Sequence, residues 1–95
     1  MTRPQAIATQ LIDDARTRVT RFDFAPGAET GWHTHGMDYV IVAVTDLSLT
    51  LEHPDGTTTQ TQVKQGESYT RKEGVEHNVI NGGGAPMSFV EVELK

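Results

Sequence analysis

The sequence predicts an all-β fold in which short strands close into one sandwich or barrel. Apolar residues recur at every second position or in short runs, and Gly, Pro, Asn or Asp interrupts these runs within about ten residues. No long segment has the period that a helix requires. The chain has 95 residues, which is enough for one domain with one core. Because no linker, repeat or low-complexity tract divides it, we expect residues 1–95 to form a single domain.

Nine segments have this strand pattern. In chain order they cover residues 8–12, 19–24, 32–35, 38–44, 47–52, 57–63, 68–71, 75–80 and 87–94. Asp13 and Asp14 favour a turn after the first segment, and Pro26 with Gly27 interrupts the chain after the second. The fourth segment is rich in Val and Ile, which is typical of a buried strand.

The fifth and sixth segments form a predicted hairpin. Leucine alternates with polar residues in the fifth, and a Pro-Asp-Gly turn at 54–56 joins it to the sixth. Asn81 opens the glycine-rich loop before the last segment and is expected to fix a turn there. In the last segment Glu91 and Glu93 alternate with two valines, so we expect the glutamates to form its solvent-facing side.

Composition narrows the possible partners. The formal net charge is -5, and the 8 Lys and Arg residues are scattered along the chain, which argues against nucleic acid or an anionic membrane. A small solute is the expected partner. The chain has no cysteine, so disulfides and thiolate ligands are excluded and any metal must be held by nitrogen or oxygen. No apolar run is long enough for a signal sequence or a membrane span, so we expect a cytoplasmic location.

Three of the four histidines are spaced as ligands of one metal ion. His33 and His35 are two residues apart, so on a strand their side chains leave the same face. A return strand that carries His77 could complete a facial cluster with them. Imidazole is the commonest metal ligand in proteins and suits iron, zinc, copper and nickel.

Two motifs surround these histidines. The first has the pattern G-x5-H-x-H over residues 27–35, and the second has G-x7-G-x2-H-x3-N over residues 66–81. In this order, with a hairpin between them, they resemble the two motifs of the cupins. The resemblance implies a single-domain double-stranded β-helix, or jelly-roll barrel, with motif one at about 27–45, motif two at about 66–81 and a metal near the open mouth. The runs at 24–40 and 71–81 are similar to those of small bacterial cupins associated with β-alanine degradation.

The chain departs from the cupin pattern at two positions. Tyr39 stands where the pattern has a glutamate, and a phenol with a pKa near ~10 is a poor ligand unless a metal deprotonates it. The resemblance therefore implies three neutral histidine ligands with open coordination positions. If Tyr39 points inward it is expected to carry a proton or to orient a bound group, and Asp38 should then point away. Lys72 replaces a usual proline, which alters a turn and leaves the ligand set as it is.

Two classes of function remain open. The first is a metalloenzyme that acts on a small anionic metabolite with one Fe, Zn, Mn or Ni ion per chain; the second is a binding module that captures a metabolite or metal without turnover. Arg71 could meet a substrate carboxylate, although a solvated arginine is the simpler interpretation. A short barrel buries little surface alone, so we also expect a symmetric homodimer.

Overall fold

The computed structural model describes residues 2–95, and these residues form the all-β fold that the sequence predicts. None of the described segments is a helix of the length and hydropathy that crossing a membrane requires. In chain order the strands are β1 Ile7–Asp13, β2 Thr17–Phe24, β3 His33–Thr34, β4 Asp38–Ala43, β5 Leu47–Glu52, β6 Thr58–Val63, β7 Ser68–Arg71, β8 Glu76–Asn81 and β9 Met87–Leu94. The strands differ from the predicted ones mainly at their ends.

The strands form two antiparallel sheets. One has five strands in the order β1-β2-β9-β4-β7, and the other has four in the order β3-β8-β5-β6. Strands distant in sequence are therefore neighbours: β9 lies between β2 and β4, and β8 pairs with both β3 and β5. The pairing of β3 with β8 within the second sheet brings the two histidine motifs together.

The core consists of apolar side chains from both sheets. Leu47 and Leu49 of β5 are 1% exposed, and they belong to the same buried cluster as Phe24 and Phe89. Phe22 packs against this cluster, and its ring centroid lies 5.4 Å from that of Phe89. Burial of each such side chain stabilises the fold by roughly 1.5–3 kcal/mol.

The orientation of β9 corrects one prediction. Glu91 and Glu93 are 9% and 7% exposed, so they are buried and do not form a solvent-facing side. The reason lies in the register, which pairs Ile41 with Glu91 and Tyr39 with Glu93 on the neighbouring strand. Side chains of directly paired residues share a face, so both glutamates point to the same side as the buried Ile41 and Tyr39.

The third strand is shorter than expected. Only His33 and Thr34 pair regularly with β8, where His33 is opposite His77. Gly31 precedes this pairing in a left-handed conformation, with a φ of 88°, which glycine adopts without steric strain. At the far end of β8, Asn81 accepts a hydrogen bond from the Gly83 backbone N–H at 3.0 Å, which confirms its role in a turn.

Candidate metal centre

The pairing of β3 with β8 brings the three predicted metal ligands together. His33 and His77 are directly paired across the two strands. His35 follows β3, and its backbone is held by Val75 and Gly74: its N–H donates to the Val75 carbonyl at 2.9 Å, and its carbonyl accepts from the Gly74 N–H at 2.7 Å. The imidazoles of His35 and His77 are buried and that of His33 is half-buried.

The ring nitrogens of the three histidines converge on one point. The Nε2 atom of His35 lies 3.0 Å from Nε2 of His33 and 3.0 Å from Nε2 of His77. The possible ligand atoms all lie within 4.8 Å of one another. Metal–nitrogen bonds of ~2.1 Å at right angles would separate two nitrogens by roughly 3.0 Å. Each of these two nitrogen pairs therefore fits two adjacent ligand positions around one metal ion.

The tautomer of His33 supports the same interpretation. Its Nδ1 lies 2.8 Å from the Gly31 carbonyl oxygen and donates a hydrogen bond to it, so its Nε2 carries a lone pair. Nε2 of His35 has a second nitrogen at the same distance, and a single N–H can serve only one of them. The cluster thus directs more lone pairs at its centre than its own protons satisfy, and a divalent cation would satisfy them.

Burial keeps two of these imidazoles neutral. It lowers the pKa of His35 to about 4, and the nearby His33 contributes to that decrease. Burial likewise lowers the pKa of His77 to about 3, with smaller contributions from His33 and His35. A metal binds the unprotonated imidazole, so His35 and His77 are already in the ligating form at neutral pH.

Tyr39 packs directly on the histidine cluster. Its ring is stacked on the ring of His35, with centroids 3.8 Å apart and planes inclined by 18°. Burial, followed by the neighbouring Tyr69, raises the pKa of Tyr39 to about 12, so its phenol keeps its proton. Asp38 points away as expected, since its carboxylate accepts a hydrogen bond from the Glu73 backbone N–H at 2.8 Å. The predicted catalytic role of Tyr39 stays a prediction.

The cluster lies in the wall of a cavity of about 270 Å³. The residues that line it are mostly apolar or aromatic: Phe22, Thr30, His33, His35, Tyr39, Ile41, Leu51, Tyr69, His77, Val79, Phe89 and Glu91. The lining includes one carboxylate and no lysine or arginine. An anionic ligand would therefore find its positive partner in a metal at the histidines.

Glu91 is the lining residue whose position the sequence analysis missed. Its Oε1 atom lies 3.8 Å from Nδ1 of His35, beyond hydrogen-bond distance. Burial raises the pKa of Glu91 to about 7, and the adjacent Glu93 adds to the increase. Glu93 itself is paired with Arg18, whose Nε and Nη2 donate to its carboxylate at 2.7 and 2.9 Å.

Arg71 lies outside the cavity lining. It is exposed, its guanidinium carbon lies 4.5 Å from the centroid of the Tyr69 ring, and its Nη1 donates to the Thr70 carbonyl at 2.9 Å. The strand register places Arg71 opposite Tyr39. Its predicted contact with a substrate carboxylate stays a prediction.

A second missed residue, Asn78, supports the loop that holds His33. Asn78 is 1% exposed, and its Oδ1 accepts a hydrogen bond from the Gly31 N–H at 3.0 Å. Its Nδ2 donates to the carboxylates of Glu29 at 2.7 Å and Glu52 at 2.8 Å. Because the Gly31 carbonyl in turn accepts from His33, this buried amide restrains the ligand through a single residue, Gly31. Its position beside His77 in a strand was the only signal in the sequence.

Comparisons of this chain with known proteins, by sequence and by structure, point to the same family. Residues 20–93 match the family model described as a cupin domain. The chain is 53% identical over 93 residues to the β-alanine degradation protein BauB of Pseudomonas aeruginosa, covering 98% of this chain and 97% of that protein. It is similar to the crystal structure of a cupin domain from Bordetella pertussis, with a TM-score of 0.95 and 54% identity over 100% of this chain and 98% of the other.

A more distant structural relative is the polyketide cyclase RemF from Streptomyces resistomycificus. Its TM-score is 0.72 at 26% identity, and the alignment covers 99% of this chain and 70% of RemF. These comparisons confirm the fold that the two motifs predict.

Proposed function

The chain belongs to the cupin family, and on that premise we propose that it is a metalloenzyme that acts on a small carboxylate metabolite of amino-acid catabolism. The observation that carries the proposal is the convergence of His33, His35 and His77 on one point in the cavity wall. The similarity to BauB, a β-alanine degradation protein, supports the substrate class.

The proposed ligand set is His33, His35 and His77, holding one divalent ion. Iron, zinc, manganese and nickel are all compatible with imidazole nitrogen and carboxylate ligands, and no cysteine is present to select a softer ion. An ion with three protein ligands keeps open positions where it can polarise a carbonyl or carboxylate oxygen or admit dioxygen.

The chain's own residues would prepare the site for such chemistry. Neutral His35 and His77 need not lose a proton before they ligate. The mostly apolar walls would lower the polarity around a bound molecule and so strengthen electrostatic interactions with it. Tyr39 retains its proton and can donate a hydrogen bond to a group bound beside His35. The anionic end of the metabolite would bind at the metal, because no lysine or arginine lines the cavity.

The metal site is tested by elemental analysis of protein purified without an affinity tag. We expect about one divalent ion per chain in the wild type and little in His77→Ala. His53→Ala is the matched control, because His53 lies outside the cluster and contacts Thr59. Full metal occupancy in His77→Ala would exclude this ligand set.

Turnover separates an enzyme from a binding module. Metal-replete protein would be incubated with β-alanine and with small carboxylates derived from amino acids, and the mixture followed by NMR. Consumption of one compound that requires the metal supports the enzyme. Saturable binding of a compound that is recovered unchanged would favour the non-catalytic alternative.

A further inference from the structure

Glu91 is a buried carboxylate without a hydrogen-bond partner among residues 2–95. It is 9% exposed and lines the same cavity as the three histidines. No described side-chain nitrogen or oxygen is fully buried without a partner, so the Glu91 carboxylate can be reached from the cavity and from the adjoining groove that Arg18 and Glu93 also line. A buried carboxylate without a donor is unfavourable. The Glu91 carboxylate is therefore open to a hydrogen-bond donor that enters the cavity.

The neighbouring glutamate shows what Glu91 lacks. Glu93 is equally buried, but both of its carboxylate oxygens accept hydrogen bonds from Arg18. That bidentate pairing satisfies the Glu93 carboxylate. The Glu91 carboxylate has no such donor among residues 2–95, and its Oε1 lies 3.8 Å from Nδ1 of the neutral His35. Arg18 donates hydrogen bonds to Glu93 and acts on Glu91 through its charge alone, so the Glu91 carboxylate stays available to another donor.

We propose that Glu91 receives a positively charged, hydrogen-bond-donating group of the substrate, so that the site selects molecules with an amine at one end and a carboxylate at the other. This inference rests on the proposed function, in which a metal at the histidines binds the carboxylate. Glu91 Oε1 is separated from Nε2 of His35 by at most 3.8 Å plus the distance between the two nitrogens of that imidazole ring. A short amino acid can span that separation within a cavity of about 270 Å³.

The site should discriminate against carboxylic acids that lack an amine. A plain carboxylic acid of the same length would leave the Glu91 carboxylate without a donor inside apolar walls. A charge-assisted hydrogen bond of this kind changes affinity by about tenfold or more. Discrimination should therefore depend on the amine alone, because the metal would bind either carboxylate.

The test uses Co²⁺-loaded full-length protein and two probes, β-alanine and propionate, which differ only in the ammonium group. Binding is measured by calorimetry at pH 8, and Co²⁺ occupancy by its absorption spectrum. We expect the wild type to bind β-alanine at least about tenfold more tightly than propionate. Glu91→Gln should lose that preference and retain Co²⁺. Glu76→Gln, the same change at an exposed position of β8, should keep the preference.

The possible outcomes separate the two proposals. If wild-type protein binds Co²⁺ but treats both probes alike, or if Glu91→Gln keeps the preference, the role of Glu91 in recognition is wrong and the metal site stands. If Glu91→Gln loses Co²⁺ affinity and binds both probes equally weakly, Glu91 positions His35 instead, which also overturns the inference. If the wild type does not bind Co²⁺, the proposed function fails as well.

Discussion

The isosteric change Asn78→Asp tests the buried polar network beside the histidines. It replaces the Nδ2 amide group by an oxygen and leaves Oδ1 available to the Gly31 N–H. Two hydrogen bonds are lost, those to Glu29 at 2.7 Å and Glu52 at 2.8 Å. The new carboxylate would face those two carboxylates directly, and Arg3 already pairs with both of them. We expect a large loss of stability at neutral pH.

The magnitude follows from the burial of the groups. Hydrogen bonds to charged groups contribute about 1.5–3 kcal/mol each. The side chains of Glu29 and Glu52 are 23% and 26% exposed and keep Arg3 as a partner, so water can replace part of what is lost and the lower end applies. Two bonds then give about 3 kcal/mol. Repulsion adds to this, for a total of roughly 3–5 kcal/mol out of the ~5–15 kcal/mol typical of a domain.

Urea unfolding at pH 7 and pH 5, followed by circular dichroism, measures this loss. Fluorescence is a poor probe because Trp32, the only tryptophan, is 54% exposed. In the wild type the Asn78 hydrogen bond lowers the pKa of Glu29, which adds stability above the unfolded-state pKa that is lost as pH falls. In the variant, binding of a proton by the introduced carboxylate removes its repulsion with the two glutamates, so acidification stabilises it. The difference between the two proteins should therefore narrow at pH 5.

A loss below about 1 kcal/mol at pH 7, or a difference that widens at pH 5, would refute this account of the network. Asn78→Ala gives the complementary comparison, because it also removes the acceptor of the Gly31 N–H. If Gly31 orients His33, Co²⁺ affinity should fall by about tenfold or more in Asn78→Ala. It should fall much less in Asn78→Asp, where the acceptor remains.

Three further predictions concern the cavity and the surface. Tyr39→Phe should leave metal content unchanged by elemental analysis and lower turnover by about 10²-fold or more, as loss of a proton donor would; loss of the metal would indicate phenolate ligation instead. Sedimentation at micromolar concentration should reveal a homodimer that covers exposed apolar residues such as Trp32; a species of ~10 kDa alone would contradict it. In chelator-treated protein, neutral His35 and His77 (pKa about 4 and about 3) lose stability as pH falls below 6.5, while Glu91 (pKa about 7) gains it. Urea unfolding should therefore show a net loss of about 1–2 kcal/mol from pH 6.5 to 5, and a loss near 3 kcal/mol in Glu91→Gln.

The histidine cluster could be predicted because its geometry depends on local rules. Two residues that are two apart on a strand must share a face, so His33 and His35 are placed together by the period alone. His77 required one further assumption, that the strand carrying it pairs beside them, and His33 is indeed directly opposite His77. The short length of β3 did not matter, because the backbone of His35 stays hydrogen-bonded to Val75 and Gly74, just before β8.

Asn78 could not be placed by the same rules. Alternation predicts only that Asn78 and His77 point to opposite faces of β8, and an asparagine on the face away from the cavity is expected to meet water. It is buried instead, because Glu29 and Glu52 from other segments cover it and supply its acceptors. Which distant polar groups meet depends on how the two sheets are connected, and no local pattern contains that information.

The two glutamates of β9 show a second limit of the alternation rule, which does not tell which face of a strand is buried. Glu91 and Glu93 share one face of β9, and Val90 and Val92, which alternate with them, share the other. The pattern alone cannot say which of the two faces is covered. Hydrophobicity assigns the valines to the core, yet the register with β4 turns the glutamates inward. Arg18 pairs with Glu93, and burial raises the pKa of Glu91 to about 7, so this carboxyl can bind a proton when no donor lies beside it. Under our proposal a substrate in the cavity supplies that donor, and an inward glutamate that contradicts the hydrophobic pattern is then a candidate ligand contact.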